Sequence, residues 1–438
     1  MNRRQFVYRS TLAACGLNLR PPLFTLVGQG TRLVDGRRLN ANLEVLGRYG
    51  RTAAGGIDRV AFSQANLEAR EFVKDLMRAA QLDVAVDAAG NIIGRRPGSD
   101  DGAPPLMLGS HIDSVPQGGN YDGPVGTLSA IEVAQTLSDR DIVLSHPLEV
   151  AVFINEEGGK TGSRAMSGEL APKDLSLTAS SGHTIGEGIA ILGGDPSALG
   201  SVQRDPGSIA AYLELHVEQG RILEKKGVDI GVVEGIVGIK RWRVTIDGFA
   251  NHAGTTPMND RRDALLAAAG FIQIVNRSVT AVEGSQVGTV GQLEVSPGAP
   301  NVIPGRVTLS LEIRDLDMEK IDALFRAIEV ESREVAGATR TAIAFEQFYV
   351  SHSAPTAESI RQTIADMATD LGYSNLRMPS GAGHDAQSIA RLAPIGMIFI
   401  PSVGGISHSP QEYSRPEDIV NGANVLLNTL LELDKNPP

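Results

Sequence analysis

The segment that most constrains this chain is an apolar run that ends in a histidine and then turns on glycine. Leu106-Met107-Leu108 leads into Gly109-Ser110-His111-Ile112-Asp113, and a Gly-rich stretch continues through Gly118-Gly119 to Asp122-Gly123-Pro124. A run that is apolar throughout fits a strand covered on both faces, as in a parallel sheet. The glycines after it let the chain turn back sharply. A strand tip delivers side chains to a fixed point, so His111 and Asp122 are placed to face one centre. An imidazole beside a carboxylate at the mouth of a parallel sheet is half of a divalent-metal site. Pro124 suits the first turn of a helix running from Val125 to Leu137. Leu148 to Ile154 is then a second buried strand, and this β-α-β order predicts a mostly parallel α/β sheet.

The second strand runs into Asn155-Glu156-Glu157-Gly158-Gly159. Adjacent carboxylates on a persisting strand point to opposite faces, so one can bind metal while its neighbour faces a substrate. Leu213-Glu214-Leu215-His216-Val217-Glu218-Gln219-Gly220 alternates and sets His216 between apolar neighbours. An isolated histidine there is more often a structural hydrogen-bonder. With His111, Asp122 and the Glu156-Glu157 pair already collected, the metal reading overtakes that one. A helix is expected where Ala69, Phe72, Val73, Leu76, Met77 and Ala80 recur, and a strand pair at Val84–Val86 and Gly90–Gly94. Residues 31 to about 60 show only a mixed, polar pattern.

At 438 residues the chain exceeds one ordinary core, so two domains are expected. The pattern changes after Gly235-Ile236-Val237-Gly238. Alternating strands (Arg241–Gly248, Gly288–Val295, Arg306–Arg314, Thr341–Tyr349) and two helices (Asp263–Val275, Ile321–Val335) predict an inserted α+β unit at 235–351, two helices on an antiparallel sheet. The catalytic domain would then comprise 31–234 and 352–438, closing with a helix over Ile419–Leu433. Lys+Arg 40 against Asp+Glu 51 gives a net charge of −11, and no basic patch suggests a nucleic-acid partner. The single Cys15 excludes an intrachain disulfide, and no internal apolar run is long enough to span a bilayer. Residues 1–30 stand apart. Asn2-Arg3-Arg4-Gln5-Phe6-Val7 is similar to a twin-arginine export motif, and Leu12-Ala13-Ala14-Cys15 to a lipoprotein box. Export to the periplasm is the expectation, a cytoplasmic location the alternative.

Taken together, His111-x-Asp113, Asp122, Glu156-Glu157, His216 and His408 resemble the dinuclear metallohydrolases of the M20 clan. Within that clan, Gly109–Pro116, Asn155–Gly158, Glu214–Gly220, His252-Ala253-Gly254-Thr255-Thr256-Pro257-Met258, Gly298–Gly305 and Ser380–Ala386 are similar to the hydantoinase/carbamoylase family amidases, over roughly residues 31–433. One departure is a short connection after Glu157, where Gly158-Gly159-Lys160-Thr161 runs straight to Gly162-Ser163-Arg164.

The resemblance implies a metallopeptidase-like catalytic domain with a lid or dimerisation domain, and two divalent ions per subunit. Zinc is the first expectation, with manganese, cobalt or nickel as alternatives. It implies Asp122 as bridge, His111 and His216 on one ion, and Glu157 and His408 on the other. Asp113 would accept the other N–H of His111 and fix its tautomer. Glu156 would be the general base, and His252 an oxyanion partner reaching the site of the other subunit of a homodimer. Gln219, Asn301, Arg314 and His384 would bind substrate, Arg314 through a carboxylate. The implied reaction is hydrolysis of a linear C–N bond in an N-carbamoyl-L-amino acid. Allantoate amidohydrolysis is the near alternative, and an acylase or peptidase the more distant one.

Overall fold

A computed structural model describes residues 32–438, so the export motif, Cys15 and the rest of the leader lie outside the described residues. The chain begins with α1 (Gly36–Leu46), whose first amides are capped by the Asp35 side chain. No helix was expected there, because its buried stripe is only Leu39, Leu43 and Leu46 among polar residues. α2 (Gln64–Ala79) starts at the Ser63 cap, and β1 (Asp83–Val86) pairs antiparallel with β2 (Ile92–Arg96) as expected. β3 (Leu106–His111), α3 (Pro124–Asp139) and β4 (Leu148–Phe153) form the anticipated β-α-β unit, and both strands are buried at every position. Two short helices, α4 (Thr161–Met166) and α5 (Ile185–Ile191), fill the crossover to β5 (Ala211–Val217). α6 (Ile222–Lys226) and β6 (Ile230–Ile236) complete this part.

The antiparallel unit follows. It contains β7 (Gly238–Asp247), β8 (Asn251–His252), α7 (Ala264–Thr280), β9 (Val287–Thr289), β10 (Leu293–Ser296), β11 (Val302–Ile303), β12 (Arg306–Asp315), α8 (Met318–Thr339) and β13 (Ala342–Ser351). Its main sheet has the order β10-β12-β7-β13, with β9 also on β12. Period-2 patterning turns Val307, Leu309, Leu311 and Ile313 of β12 inward. They meet Phe271 of α7, Leu324 of α8 and Trp242, which stacks on Phe325 at 4.2 Å. This unit has its own core, as a lid domain needs.

β14 (Ala354–Pro355), α9 (Glu358–Asp370), β15 (Asn375–Ser380), α10 (Asp385–Ile389), β16 (Ile395–Ile400) and α11 (Pro416–Lys435) return to the first domain. β15 did not stand out in the sequence, because Asn-Leu-Arg-Met-Pro-Ser lacks an apolar run. The nine-stranded sheet runs β1-β2-β4-β3-β5-β16-β6-β14, with β15 on β6. Its centre, β4-β3-β5-β16, is parallel, while β1, β2 and β14 pair antiparallel at the flanks. The parallel centre brings four C-terminal tips to one edge, the usual site of chemistry in such sheets. Gly109 permits the close approach of β3 and β4, since a Cβ there would lie 2.2 Å from the Ala151 carbonyl oxygen.

Candidate metal centre

Each predicted ligand sits at or just beyond one of those tips. His111 ends β3, Asp122 precedes α3, Glu157 follows β4, His216 lies near the end of β5, and His408 is in the loop after β16. They gather into two groups that share Asp122: His111 with Asp122 and His216, and Asp122 with Glu157 and His408. Asp122 Oδ1 is 3.1 Å from His216 Nε2 and 3.7 Å from His111 Nε2. Its Oδ2 is 3.3 Å from His408 Nε2, which is 3.4 Å from Glu157 Oε2.

The donor set fits a pair of divalent ions. Nδ1 of His216 contacts the Val217 carbonyl at 2.9 Å, and its Nε2 is buried without a hydrogen-bond partner. A buried orphan nitrogen aimed at a carboxylate is what a ligating imidazole requires. Charge points the same way. Asp113, Asp122, Glu214, Asp385 and Glu412 are buried, and Glu156 and Glu157 nearly so, against Arg59, Arg70 and Lys160 as enclosed cations nearby among the described residues. So many buried anions need cationic compensation.

The ionisation of the cluster reflects this crowding. Burial pushes Glu157 up to about 7, with the Asp122 carboxylate adding to the effect. Burial also raises Glu156 well above the usual carboxylate range, reinforced by Asp385 and Glu157 and opposed by His111. Burial would raise Asp122 too, but His216, His408 and His111 hold it well below its ordinary value. The hydrogen bond to Asp122 lifts His408 to about 9. Burial alone would lower His111, yet Asp113 and Glu156 raise it well above an ordinary imidazole.

Two local expectations need correcting. Strand geometry does not persist to the acidic pair. β4 ends at Phe153, Asn155 is left-handed (φ 50°), and the amides of Gly159 and Lys160 both donate to the Glu156 carbonyl. The two carboxylates still diverge, Glu156 Oε2 lying 3.8 Å from His111 Nε2 while Glu157 faces His408. Asp113 also acts differently. The His111 ring contacts the Asp113 backbone carbonyl at 3.1 Å, whereas the carboxylate is 3.7 Å away. That carboxylate instead accepts the amides of Glu156 and Glu157, each at 3.3 Å. It clamps the acidic turn against the tip of β3. Local strain concentrates here, with Asn155, Lys160, Gln219 and His408 all at positive φ.

The profile of the Peptidase family M20/M25/M40 matches residues 107–432. The chain belongs to that family. It is 42% identical to an N-carbamoyl-L-amino acid amidohydrolase of Geobacillus stearothermophilus, over 92% of this chain and 99% of that protein. It is 32% identical to the allantoate amidohydrolase of Bacillus subtilis (strain 168), over 89% and 96% respectively. Among solved structures, a hydantoinase/carbamoylase family amidase from Burkholderia multivorans superposes with a TM-score of 0.86 at 35% identity, covering 93% of this chain and 99% of that one.

The four substrate candidates of this M20 protein are dispersed. Gln219 donates its amide to Asp122 Oδ2 and lies 3.5 Å from His408 Nε2, among the ligands themselves. His384 is buried rather than lining an open wall. Its ring packs edge-on against His216 at 4.4 Å, and its Nε2 is 2.7 Å from Ser380 Oγ. Burial, then His216, holds it well below an ordinary imidazole. Arg314 stands where the lid meets the first domain, bonded to Glu312 and to the Gly381 carbonyl, both at 2.7 Å. Asn301 and His252 belong to the lid. The Asn301 carbonyl accepts the Ala253 amide, and His252 pairs with Val302. Among the described residues no hydrogen bond or ion pair joins either to the ligating group.

Several residues in the site escaped the sequence reading. Glu214 accepts hydrogen bonds from Ser110, Tyr212 and the Ala386 amide beneath the metal cluster. Asp385 accepts one from Ser163 at 2.6 Å, and burial beside Glu214 pushes it up to about 7. Arg59, fully buried, holds the Ile112 carbonyl at 2.6 Å. Spacing offered one faint signal: Glu214 sits two residues before His216 on the same face of β5.

Proposed function

We propose that this protein hydrolyses the ureido C–N bond of N-carbamoyl-L-amino acids, giving the amino acid, carbon dioxide and ammonia, as a homodimer. The enzyme class, a metal-dependent hydrolase of amide or ureido bonds, follows from the family and its relatives. The observation that carries the reading is Asp122, with one oxygen toward His111 and His216 and the other toward His408 and Glu157. Divalent ions in such a site supply polarisation of the scissile carbonyl and acidification of a water. Three imidazoles and two carboxylates favour zinc, with manganese, cobalt or nickel as alternatives.

The chain's own groups do the rest. Glu156 stands beside His111, and burial raises its proton affinity. A carboxyl group so tuned takes a proton from the attacking water and returns it to the leaving nitrogen. His252 has its Nδ1 occupied by the amides of Gly254 at 3.0 Å and Thr255 at 3.2 Å. With Nδ1 accepting, the ring hydrogen sits on Nε2, which makes His252 a donor suited to an oxyanion. It lies on the exposed lid, and α7 presents Leu265, Leu266 and Ile272 to solvent nearby. That apolar stripe supports a second copy, whose site His252 would complete. Arg314 keeps Nη2 without a protein partner among the described residues, and with Asn301 it is assigned the substrate carboxylate. The Asn2–Val7 motif supports periplasmic export.

The test is a panel of N-carbamoyl-L-amino acids, allantoate, ureidopropionate and N-acyl amino acids with metal-reconstituted protein. The highest kcat/KM is expected on an N-carbamoyl-L-amino acid. Turnover confined to allantoate or to acyl amino acids would overturn the substrate assignment. N-terminal sequencing of protein from the periplasm tests export, and an intact Met1 in the cytosol would end that proposal.

A further inference from the structure

Asp122 must face both ligand groups, so the position of its backbone decides whether both can form. That backbone is held by a residue from a distant loop. Glu412 lies four positions after His408, is only 6% exposed, and has no ion-pair partner among the described residues. Its Oε1 accepts the Tyr121 amide at 2.8 Å and the Asp122 amide at 3.1 Å. Its Oε2 is 2.8 Å from Ser407 Oγ, and the same hydroxyl is 2.8 Å from Asp122 Oδ2. Gly119 makes room for this insertion, since a Cβ there would lie 2.2 Å from Glu412 Oε1.

A carboxylate buried without an ion-pair partner is costly, and two backbone amides and one hydroxyl offset that cost only in part. An apolar side chain would serve packing at less expense. What a carboxylate does here is grip the Asp122 amide and, through Ser407, the Asp122 carboxylate, from the loop that carries His408. We propose that Glu412, with Ser407, is a positioning residue that sets Asp122 between the two ligand groups and ties it to the His408 loop. Metal affinity, more than folding, then depends on it. The inference rests on the metal-centre reading above.

The experiment uses the full chain stripped with chelator and reloaded with zinc. Zinc per chain is measured by mass spectrometry, affinity by competition with a chromophoric chelator, and melting of the stripped protein by fluorimetry. Glu412→Ala should weaken zinc binding by roughly 10–100-fold, as outer-sphere partners of metal ligands do. Glu412→Gln keeps Oε1 as acceptor for both amides and turns its NH₂ toward Ser407, so it should retain wild-type affinity. Ser407→Ala should fall between the two and keeps the question decidable if Glu412→Ala does not fold. Wild-type affinity in Glu412→Ala with a lowered melting temperature would mark a purely structural role and overturn the proposal. So would Glu412→Gln losing affinity, or Ser407→Ala losing none. A reloaded wild-type protein that takes up no zinc would instead overturn the metal-centre reading beneath it.

Discussion

Removing the metals should make the protein progressively less stable between pH 5 and pH 8, the reverse of what paired carboxylates usually produce. Burial lifts Glu157 from 4.5 to about 7, which disfavours its ionised form by on the order of 3 kcal/mol at 1.36 kcal/mol per pH unit. Asp385, lifted from 3.8 to about 7, adds on the order of 4 kcal/mol before the neighbours they share are considered. A carboxyl group whose folded pKa is raised contributes stability that is complete below its unfolded value and lost as pH climbs through the folded one. Glu156, Glu214 and Glu412 are raised as well and act in the same sense. His408, raised from 6.5 to about 9, gives stability present below 6.5 that erodes toward 9. His384 opposes them, because its lowered value costs the fold below 6.5 and that penalty lifts as pH rises. His111 and His216 are raised too and act in the same sense as His408, whose half-exposed ring is screened by solvent, so His384 does not reverse the trend set by the carboxyl groups. The net loss is then about 3–5 kcal/mol, or roughly 10 °C in melting temperature for a domain of this size. Urea midpoints and thermal melts with chelator at pH 5, 6, 7 and 8, at constant ionic strength, read this directly. Zinc-loaded protein should show a flatter profile, and Asp385→Asn should flatten the chelated one. A chelated protein equally or more stable at pH 8 than at pH 5 would refute the reasoning.

Glu156→Gln should bind metal normally while kcat falls about 10²–10⁴-fold, and near wild-type turnover would remove it from the base role. His252→Ala should lose about 10²–10³-fold in kcat with melting unchanged. Restored activity in dimers mixed with a His216→Ala partner would show that the site is shared, and its absence would argue against sharing. Gly123→Ala should abolish metal uptake, because Gly123 has φ 81° and an added Cβ would lie 2.4 Å from the His111 ring; zinc content checks it. Arg314→Ala should raise KM for carbamoyl substrates well above its effect on kcat, and steady-state kinetics decide.

Much of the fold was legible from local pattern. The apolar run at 106–108, the β-branched-rich strand at 148–154, the alternation of 306–314, and the helix-start proline at 124 each report a neighbourhood of a few residues. Those patterns predicted a parallel centre with an inserted antiparallel unit, and residue chemistry at the strand tips picked out His111, Asp122, the Glu156-Glu157 pair and His216, while the choice of Glu157 and the addition of His408 came from the resemblance to the M20 metallohydrolases. α1 and β15 were missed because neither has a strong enough apolar period.

What only the tertiary structure decided is which atom faces which. The Asp113 carboxylate holds the Glu156-Glu157 turn rather than the His111 ring, His384 lies buried behind His216, and Glu412 reaches Asp122 across 290 positions. Hydropathy reports whether a side chain is covered. The direction of a hydrogen bond depends on loop backbones, here left-handed at Asn155, Gln219 and His408, and on partners brought together from strands far apart in the chain. No local repeat encodes those meetings; the stacking of parallel strands creates them.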